Sequence, residues 1–264
     1  MTTDLEVALT AARAGAEVVR AAYRRPVKRL VKAALDFATD TDLAAERAIR
    51  DVLTAARPAD AVVGEELGAS GGEAARRWYV DPLCGTLNFA AGVPPFGVNV
   101  ALTERVGGTE RVAAAVVADP LTGEVLWTDG SRARRHAPDE DADTDLAPSV
   151  DSRLLNVDVD NGAVGAALVA DADVRASFAV RVASSTLALA WVAAGRQAAY
   201  VTGADVAGSV HFLPGVALCE AAGCVVTDLD GGPVHGGRGI VAAADAPTAR
   251  RLLGLIGQVG GTAP

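Results

Sequence analysis

Three short segments of the sequence carry side chains whose types and spacing could support chemistry. Residues 38–42 read Ala-Thr-Asp-Thr-Asp and are followed by Glu46. Residues 64–66 read Gly-Glu-Glu, and residues 78–89 read Trp-Tyr-Val-Asp-Pro-Leu-Cys-Gly-Thr-Leu-Asn-Phe. Carboxylates at strand ends and helix starts are a usual way to hold hard cations such as Mg²⁺. The turn at Gly85-Thr86 has backbone N–H groups that could face an anion. Each segment is weak evidence by itself, because a Gly-Glu-Glu or Asp-Pro stretch is often an ordinary turn.

Helices and strands that alternate along the chain would position these segments. Apolar spacing predicts helices over residues 5–23, 42–56, 185–194, 213–222 and 248–259, with Asp40 or Thr41 capping the second. Alternating or continuous apolar runs predict strands over residues 61–63, 78–80, 97–102, 111–118, 124–128, 154–157, 180–182 and 199–201. Interleaved elements of both kinds indicate a mixed α+β or α/β protein with layered sheets.

A polar segment, residues 129–151, is the best candidate for a boundary between two halves. It contains Arg132, Arg134 and Arg135, followed by a run of carboxylates, and we expect the arginines in a solvated loop. The predicted domains are an N-terminal α+β half, residues 1–143, which carries the three segments, and a C-terminal α/β half, residues 144–264, which completes the site.

Composition and charge exclude several classes of function. The net charge is -9 and no basic stripe is present, which argues against nucleic acid or an anionic membrane as a partner. The N-terminus lacks the basic region of a signal peptide, and the apolar runs are too short to span a membrane. The spacing of Cys84, Cys219 and Cys224 matches no disulfide framework or zinc module, and we expect Cys219 and Cys224 in the core. A cytoplasmic protein with reduced thiols is the resulting expectation.

Together, and in this order, the three segments closely resemble the inositol monophosphatase family. That family has a Thr-rich segment ending in Asp, then Gly-Glu-Glu, then Trp-x-x-Asp-Pro-x-Asp-Gly-Thr-x-Asn-Phe. The resemblance continues through residues 96–102 and 117–127. It resumes at residues 181–200, similar to the family's Arg-x-x-Gly-Ser-Ala segment, and again at residues 222–232.

The resemblance implies a layered αβαβα fold, a homodimer, and Mg²⁺-dependent hydrolysis of small phosphomonoesters. It matches Glu65, Asp81 and the backbone carbonyl of Leu83 to a first metal site. It matches Thr86 and Asp42 to the residues that orient the attacking water. The resemblance also implies that the small-molecule substrate contacts the positions Gly85, Thr86, Ser184 and Ser185.

The family's second metal site is altered in this chain. Its ligands in the family are three aspartates, which here match Asp81, Cys84 and His211. Mg²⁺ requires hard oxygen ligands and tolerates thiolate and imidazole poorly. We therefore expect this second site not to hold Mg²⁺ well. Lys32, upstream of Asp42, could lie near the site.

Three hypotheses follow from this change. In the leading one, the chain is a repurposed enzyme acting on a small polar metabolite. Cys84 is then a nucleophile with His211 as base and Asp81 as orienting group, for acyl or similar group transfer. In the second, it remains a phosphatase, with Mg²⁺ at the first site or Zn²⁺ at Cys84 and His211. In the third, it binds a small ligand or a partner without catalysis. The cofactor expectation is therefore Mg²⁺ at the first site, Zn²⁺ at Cys84 and His211, or none.

Overall fold

The computed structural model describes residues 2–32, 37–72 and 74–260. The chain divides into two units, one formed by Met1–Asp145 with Ser185–Leu187 and the other by Leu146–Ser184 with Ala188–Pro264. The predicted domain boundary at residue 143 stays a prediction.

The first unit combines long helices with a large sheet. Its helices are α1 (Asp4–Ala22), α2 (Asp40–Ala56) and α3 (Thr86–Ala91). Its strands are β1 (Arg29–Val31), β2 (Phe37–Thr39), β3 (Ala61–Gly64), β4 (Gly68–Ser70), β5 (Arg76–Cys84), β6 (Gly97–Val106), β7 (Thr109–Ala118), β8 (Val125–Thr128), β9 (Ala133–His136) and β10 (Thr144–Asp145).

Helix α2 begins earlier than the sequence analysis predicted, and its cap is Thr39. The Thr39 hydroxyl accepts a hydrogen bond from the Thr41 backbone N–H at 3.2 Å. The Asp42 carboxylate accepts from the Thr39 backbone N–H at 2.8 Å, which completes a reciprocal capping box. The prediction of Asp40 or Thr41 as the cap was wrong, because Asp40 is already the first helical residue.

The main sheet of the first unit has the strand order β10-β9-β8-β7-β6-β5-β3-β4 in the described residues. Strands β3 and β5 are parallel, and the other neighbours are antiparallel. Helices α1 and α2 pack on each other, and together they contact β5, β6 and β7. The core between them is built from small aliphatic side chains and a few aromatic ones, including Val19, Ile49, Leu53, Trp78 and Val100. This packing holds the carboxyl ends of β3 and β5 rigidly.

Strand β9 was not predicted, because its charged residues read as a loop. Arg135 lies in this strand and pairs with Glu124 at 3.3 Å and also with Glu140. Arg134 lies beside it and contacts Asp145 at 2.9 Å. These ion pairs, together with ladder bonds to β8, let an arginine-rich segment form a strand near a sheet edge.

The second unit has its own five-stranded sheet among the described residues. Its helices are α4 (Val164–Ala170), α5 (Ala172–Ser177), α6 (Thr186–Ala193, whose first residues count with the first unit), α7 (Leu213–Ala221) and α8 (Ala246–Gly260). Its strands are β11 (Leu154–Val157), β12 (Ala179–Val182), β13 (Ala199–Thr202), β14 (Val225–Thr227) and β15 (Ile240–Ala243), in the order β12-β11-β13-β15-β14.

Helix α8 supplies much of the apolar cover of this second sheet. Its buried residues Leu252 and Leu255 belong to one core cluster with Leu155 and Val241. Helices α4 and α5 and strands β14 and β15 were not predicted, because they are short and carry too few residues for a clear period. None of the helices in the described residues is long and apolar enough to cross a membrane.

Candidate active site

Glu65 and Asp81 occupy matching positions where the parallel pairing of β3 with β5 ends. Gly64, the last residue of β3, pairs in register with Val80 of β5. The Glu65 backbone N–H extends this pairing by donating to the Val80 carbonyl at 3.1 Å. Since neighbouring residues in register project to the same face, both carboxylates belong to one edge of the sheet. Parallel pairing therefore positions the two predicted ligands of the first metal site.

A β-bulge in β5 gives the Leu83 carbonyl a role outside the sheet ladder. The register with β6 shifts by one residue between Asp81 and Cys84. The Leu83 carbonyl accepts a hydrogen bond from the Thr86 hydroxyl at 3.1 Å. Gly85 follows with a φ of 105°, and an added Cβ would lie 2.9 Å from the Pro95 carbonyl oxygen, so only glycine fits this turn.

Asp42 and Thr86, which the sequence resemblance matches to water-orienting residues, are joined by a hydrogen bond. The Thr86 hydroxyl donates to Asp42 Oδ1 at 2.9 Å. The other carboxylate oxygen of Asp42 accepts from both the backbone N–H and the hydroxyl of Thr39. Two elements thus meet here, the first turn of α2 and the first residue of α3. A hydroxyl fixed on a buried carboxylate can orient a water molecule and pass its proton on.

Burial raises the pKa of Asp42 to about 6, although hydrogen bonds from Thr39 and Thr86 oppose the rise. The negative charge of Glu66 adds to the increase. A carboxylate with a pKa near 6 is a stronger base than an ordinary aspartate and is still ionised at neutral pH. The environment of Asp42 therefore suits a general base.

Glu46 holds the Gly-Glu-Glu turn, a role that the sequence analysis did not assign to it. Its fully buried carboxylate accepts from the backbone N–H groups of Glu66 at 2.7 Å and Leu67 at 3.1 Å. Arg50 Nε donates to the same carboxylate at 2.8 Å. An added Cβ on Gly64 would lie 1.8 Å from Glu46 Oε1. The glycine of this motif is therefore required by the carboxylate packed against it.

We expect Gly64→Ala to lower the free energy of unfolding by about 3 kcal/mol, because the new methyl group must displace a buried, fully hydrogen-bonded carboxylate. Urea denaturation of the whole chain measures this. Gly254→Ala is the matched control. Gly254 lies in helix α8 with no atom within 4 Å of an added Cβ. There the substitution should stabilise by about 0.5–1 kcal/mol. Equal effects of the two substitutions would show that Glu46 does not constrain Gly64.

Lys32 lies beside Glu66 and Glu65, the second of which is a predicted metal ligand, so it is near the predicted site as expected. Its ammonium group contacts Glu66 Oε1 at 2.7 Å and Glu65 Oε1 at 3.5 Å. Residues 33–36, which follow it, lie outside the described residues. The amine is thus placed where it can compensate negative charge next to a predicted metal ligand.

The Cys84 thiol is held by a polar cluster that includes two residues the sequence analysis missed. Cys84 Sγ lies 3.0 Å from the Thr186 hydroxyl and accepts from the Thr186 backbone N–H at 3.3 Å. The Asn99 amide donates to the Thr186 hydroxyl at 2.8 Å and more weakly to Asp81 Oδ2 at 3.4 Å. Ser185 donates to the Cys84 carbonyl at 3.2 Å.

His211 and Ser184 belong to the second unit and have local partners there. His211 lies in the turn before α7, and its ring packs edge-on to Phe212 with centroids 6.2 Å apart. The Ser184 hydroxyl donates to the buried Asp158 carboxylate at 2.9 Å. The proposed meeting of His211 with Cys84, and substrate contacts of Ser184 and Ser185, stay predictions.

The donor atoms of the two metal positions differ in hardness. Glu65 and Asp81 offer carboxylates and Leu83 a carbonyl, and such oxygen donors fit Mg²⁺. Cys84 offers sulfur, which does not fit Mg²⁺ but suits a softer ion such as Zn²⁺. The first site therefore fits the cation that the family resemblance implied, and the position of Cys84 does not.

Asn99 and Thr186 could have been found from the sequence by looking for polar residues in apolar runs. Asn99 is a lone amide within strand residues 97–102, directly across from Asp81 in the β5–β6 register. Thr186 is the polar residue that opens the apolar helix α6. In both cases a polar side chain in a buried element indicates a specific hydrogen-bond partner.

Comparison with known proteins identifies the family. The model of the inositol monophosphatase family matches residues 1–259. An inositol-1-monophosphatase of Caulobacter vibrioides is 32% identical over 209 residues, covering 75% of this chain and 78% of that protein. A Nus factor SuhB of Pasteurella multocida is 30% identical over 275 residues, covering 97% of this chain and 96% of that protein.

The fold comparison agrees with the sequence comparison. An IMPase of Thermotoga maritima superposes with a TM-score of 0.82 and 21% identity, covering 97% of this chain and 98% of that one. The predicted fold class, a mixed α and β protein of this type, is therefore confirmed. On its sequence and its fold, the chain is a member of the inositol monophosphatase family.

Proposed function

We propose that this chain hydrolyses small phosphomonoesters in a reaction that requires a divalent cation. The observation that carries the proposal is the 2.9 Å hydrogen bond between Thr86 and the buried Asp42. The same Thr86 hydroxyl contacts the Leu83 carbonyl, a predicted cation ligand. A water-orienting pair and a set of hard oxygen donors are thus joined through one side chain, as hydrolysis of a phosphate ester requires.

In the proposed mechanism the protein side chains hold water and move one proton. Asp42, ionised above about pH 6, accepts the proton of a water molecule through the Thr86 hydroxyl. Glu46 keeps the Glu65-Glu66 turn in place, and the Lys32 ammonium compensates the negative charge of that turn. A divalent cation held by Glu65, Asp81 and the Leu83 carbonyl would supply Lewis-acid stabilisation of the phosphate charge.

We further propose that Asp81, Cys84 and His211 form a second cation site that prefers a softer ion than Mg²⁺. The family motifs match all three residues to ligands of one ion, and a carboxylate, a thiol and an imidazole could together hold a metal. The Thr186 backbone N–H donates to Cys84 Sγ at 3.3 Å, so the sulfur is positioned among polar partners. Zn²⁺ is the ion that this donor set fits best.

The contacts of Cys84 Sγ with the Thr186 hydroxyl and backbone N–H are compatible with a second candidate function, thiol-dependent acyl or group transfer. In that case Cys84 is the nucleophile, His211 the base and Asp81 the orienting group. This alternative predicts activity without any added cation. A non-catalytic ligand-binding role predicts no turnover on any substrate. A homodimer and a cytoplasmic location stay predictions.

The phosphatase proposal is tested with a panel of sugar and cyclitol monophosphates, each assayed for phosphate release with Mg²⁺, with Zn²⁺ and with a chelator. We expect cation-dependent turnover, and we expect Thr86→Val to reduce it about 10²-fold because the water loses its oriented hydroxyl.

Thr86→Ser is the matched control, since it keeps the hydroxyl that donates to Asp42. We expect it to retain most of the turnover. Turnover that persists in the chelator, or an equal loss in the valine and serine variants, would overturn the proposal.

A further inference from the structure

The C-terminal end of helix α7 brings two cysteines together. The helix ends in a Schellman motif, in which Gly223 adopts a left-handed conformation with a φ of 84°. The Cys224 backbone N–H donates to the Cys219 carbonyl at 2.9 Å, and the Gly223 N–H donates to the Glu220 carbonyl at 3.1 Å. In this motif the side chains at the positions of Cys219 and Cys224 normally make an apolar contact across the turn.

The backbone geometry of the motif also fits a disulfide. A 2.9 Å bond from the Cys224 nitrogen to the Cys219 carbonyl oxygen cannot separate the two α-carbons by more than about 7 Å, the upper limit for a disulfide. The left-handed Gly223 reverses the chain, so the last helical turn and Cys224 face each other. The helix cap thus supplies the proximity that a cross-link needs.

The two thiols differ in access to solvent. Cys219 is fully buried and its thiol contacts the Leu189 carbonyl at 3.5 Å, whereas Cys224 is half-buried. The adjacent Cys224 thiol, together with burial, raises the pKa of the Cys219 thiol well above its ordinary value. An oxidant in solution therefore reaches Cys224 first, and Cys219 lies behind it as the thiol that can condense with a sulfenic acid at Cys224.

We propose that Cys219 and Cys224 form a dithiol that hydrogen peroxide converts to an intramolecular disulfide. The Cys224 sulfur attacks one peroxide oxygen, the O–O bond breaks, and a sulfenic acid and one water are formed. The Cys219 sulfur then attacks the Cys224 sulfur, the S–OH bond breaks, and a second water leaves with the Cys219 proton. The two thiols are oxidised by two electrons and one peroxide is reduced. This site is independent of the proposed hydrolase activity.

The experiment oxidises the folded, full chain with hydrogen peroxide, alkylates the remaining thiols, and analyses tryptic peptides by mass spectrometry. Cleavage after Arg196 and Arg238 gives one peptide, residues 197–238, that contains both cysteines, while Cys84 falls in the peptide 78–105. We expect peptide 197–238 to lose about 2 Da, to take up no alkyl group, and to recover both sites after dithiothreitol.

Two variants make the outcome decisive. In Cys84→Ala, peptide 197–238 should still lose about 2 Da, because Cys84 lies outside this peptide and its thiol contacts Thr186. Cys219→Ala should abolish it, and Cys224 should then gain oxygen instead. If the wild-type peptide gains oxygen without losing about 2 Da, or keeps two alkylated thiols while other thiols oxidise, the dithiol proposal is wrong.

Discussion

Asp42→Asn is expected to lower phosphomonoester hydrolysis about 10³-fold, the range that loss of a general base produces. The asparagine side chain keeps the shape of aspartate and can still contact Thr39 and Thr86, but it cannot accept a proton. The wild-type rate should also fall as the pH drops below about 6, where Asp42 becomes protonated. Phosphate release, measured from pH 5 to 9, checks both effects.

The same substitution should stabilise the protein at neutral pH, which separates a catalytic role from a structural one. Burial raises the pKa of Asp42 from 3.8 to about 6, so the folded state binds the proton more tightly than the unfolded state. The contribution of protonated Asp42 to the free energy of unfolding is complete below about pH 4 and is lost as the pH rises through about 6. At pH 7 the Asp42→Asn variant should be more stable by at most about 3 kcal/mol.

Urea denaturation in a chelating buffer measures this difference without a contribution from bound cation. Asp40→Asn is the control, because Asp40 lies on the same helix, is exposed, and accepts from the Lys28 backbone N–H at 3.1 Å. It should change neither the rate nor the pH dependence of stability. An Asp42→Asn variant that is less stable than the wild type at pH 7 would contradict the burial argument.

Cys84→Asp should change which cation supports activity. The new carboxylate replaces a soft donor by a hard one, so the ratio of Mg²⁺-supported to Zn²⁺-supported turnover should rise about 10²-fold. The Thr186 hydroxyl and backbone N–H, which contact the sulfur now, can donate to a carboxylate at that position. Titration of activity against each cation measures the ratio.

Cys84→Ser is the matched control, since it has nearly the size of cysteine but is neither soft nor charged. It should weaken the response to both cations without reversing their order. An unchanged ratio in Cys84→Asp would mean that Cys84 does not face a bound cation, and the second site would have to be abandoned.

The part of the site that lies in continuous motifs could be predicted from the sequence. Glu65 directly follows strand β3, Asp81 and Leu83 lie near the end of β5, and the apolar runs of both strands are easy to recognise. The family resemblance singled out Asp42 and Thr86, although not the hydrogen bond between them. Helices α1, α2, α6, α7 and α8 have long apolar stretches, and the predictions for them are confirmed within a few residues.

The other contacts of the candidate site, and strand β9, depend on residues that are distant from each other in the sequence. Thr186 is separated from Cys84 by 102 positions, and no local pattern indicates their contact. Glu46 stands out as a carboxylate close to the 38–42 segment, but the sequence does not indicate that it holds a turn 20 residues away. Strand β9 is arginine-rich, and only its ion pairs with Glu124 and Glu140 show why it pairs in the sheet. Local propensity cannot reveal such tertiary partners.

The most direct test of the central claim compares phosphate release by Asp42→Asn and Cys84→Ala with the wild type, on one substrate at saturating cation. If a water molecule oriented by Thr86 and deprotonated by Asp42 does the chemistry, Cys84→Ala keeps at least about a tenth of the rate while Asp42→Asn loses about 10³-fold. The opposite order, with Asp42→Asn active and Cys84→Ala inactive, would contradict the account and place the reaction on the thiol.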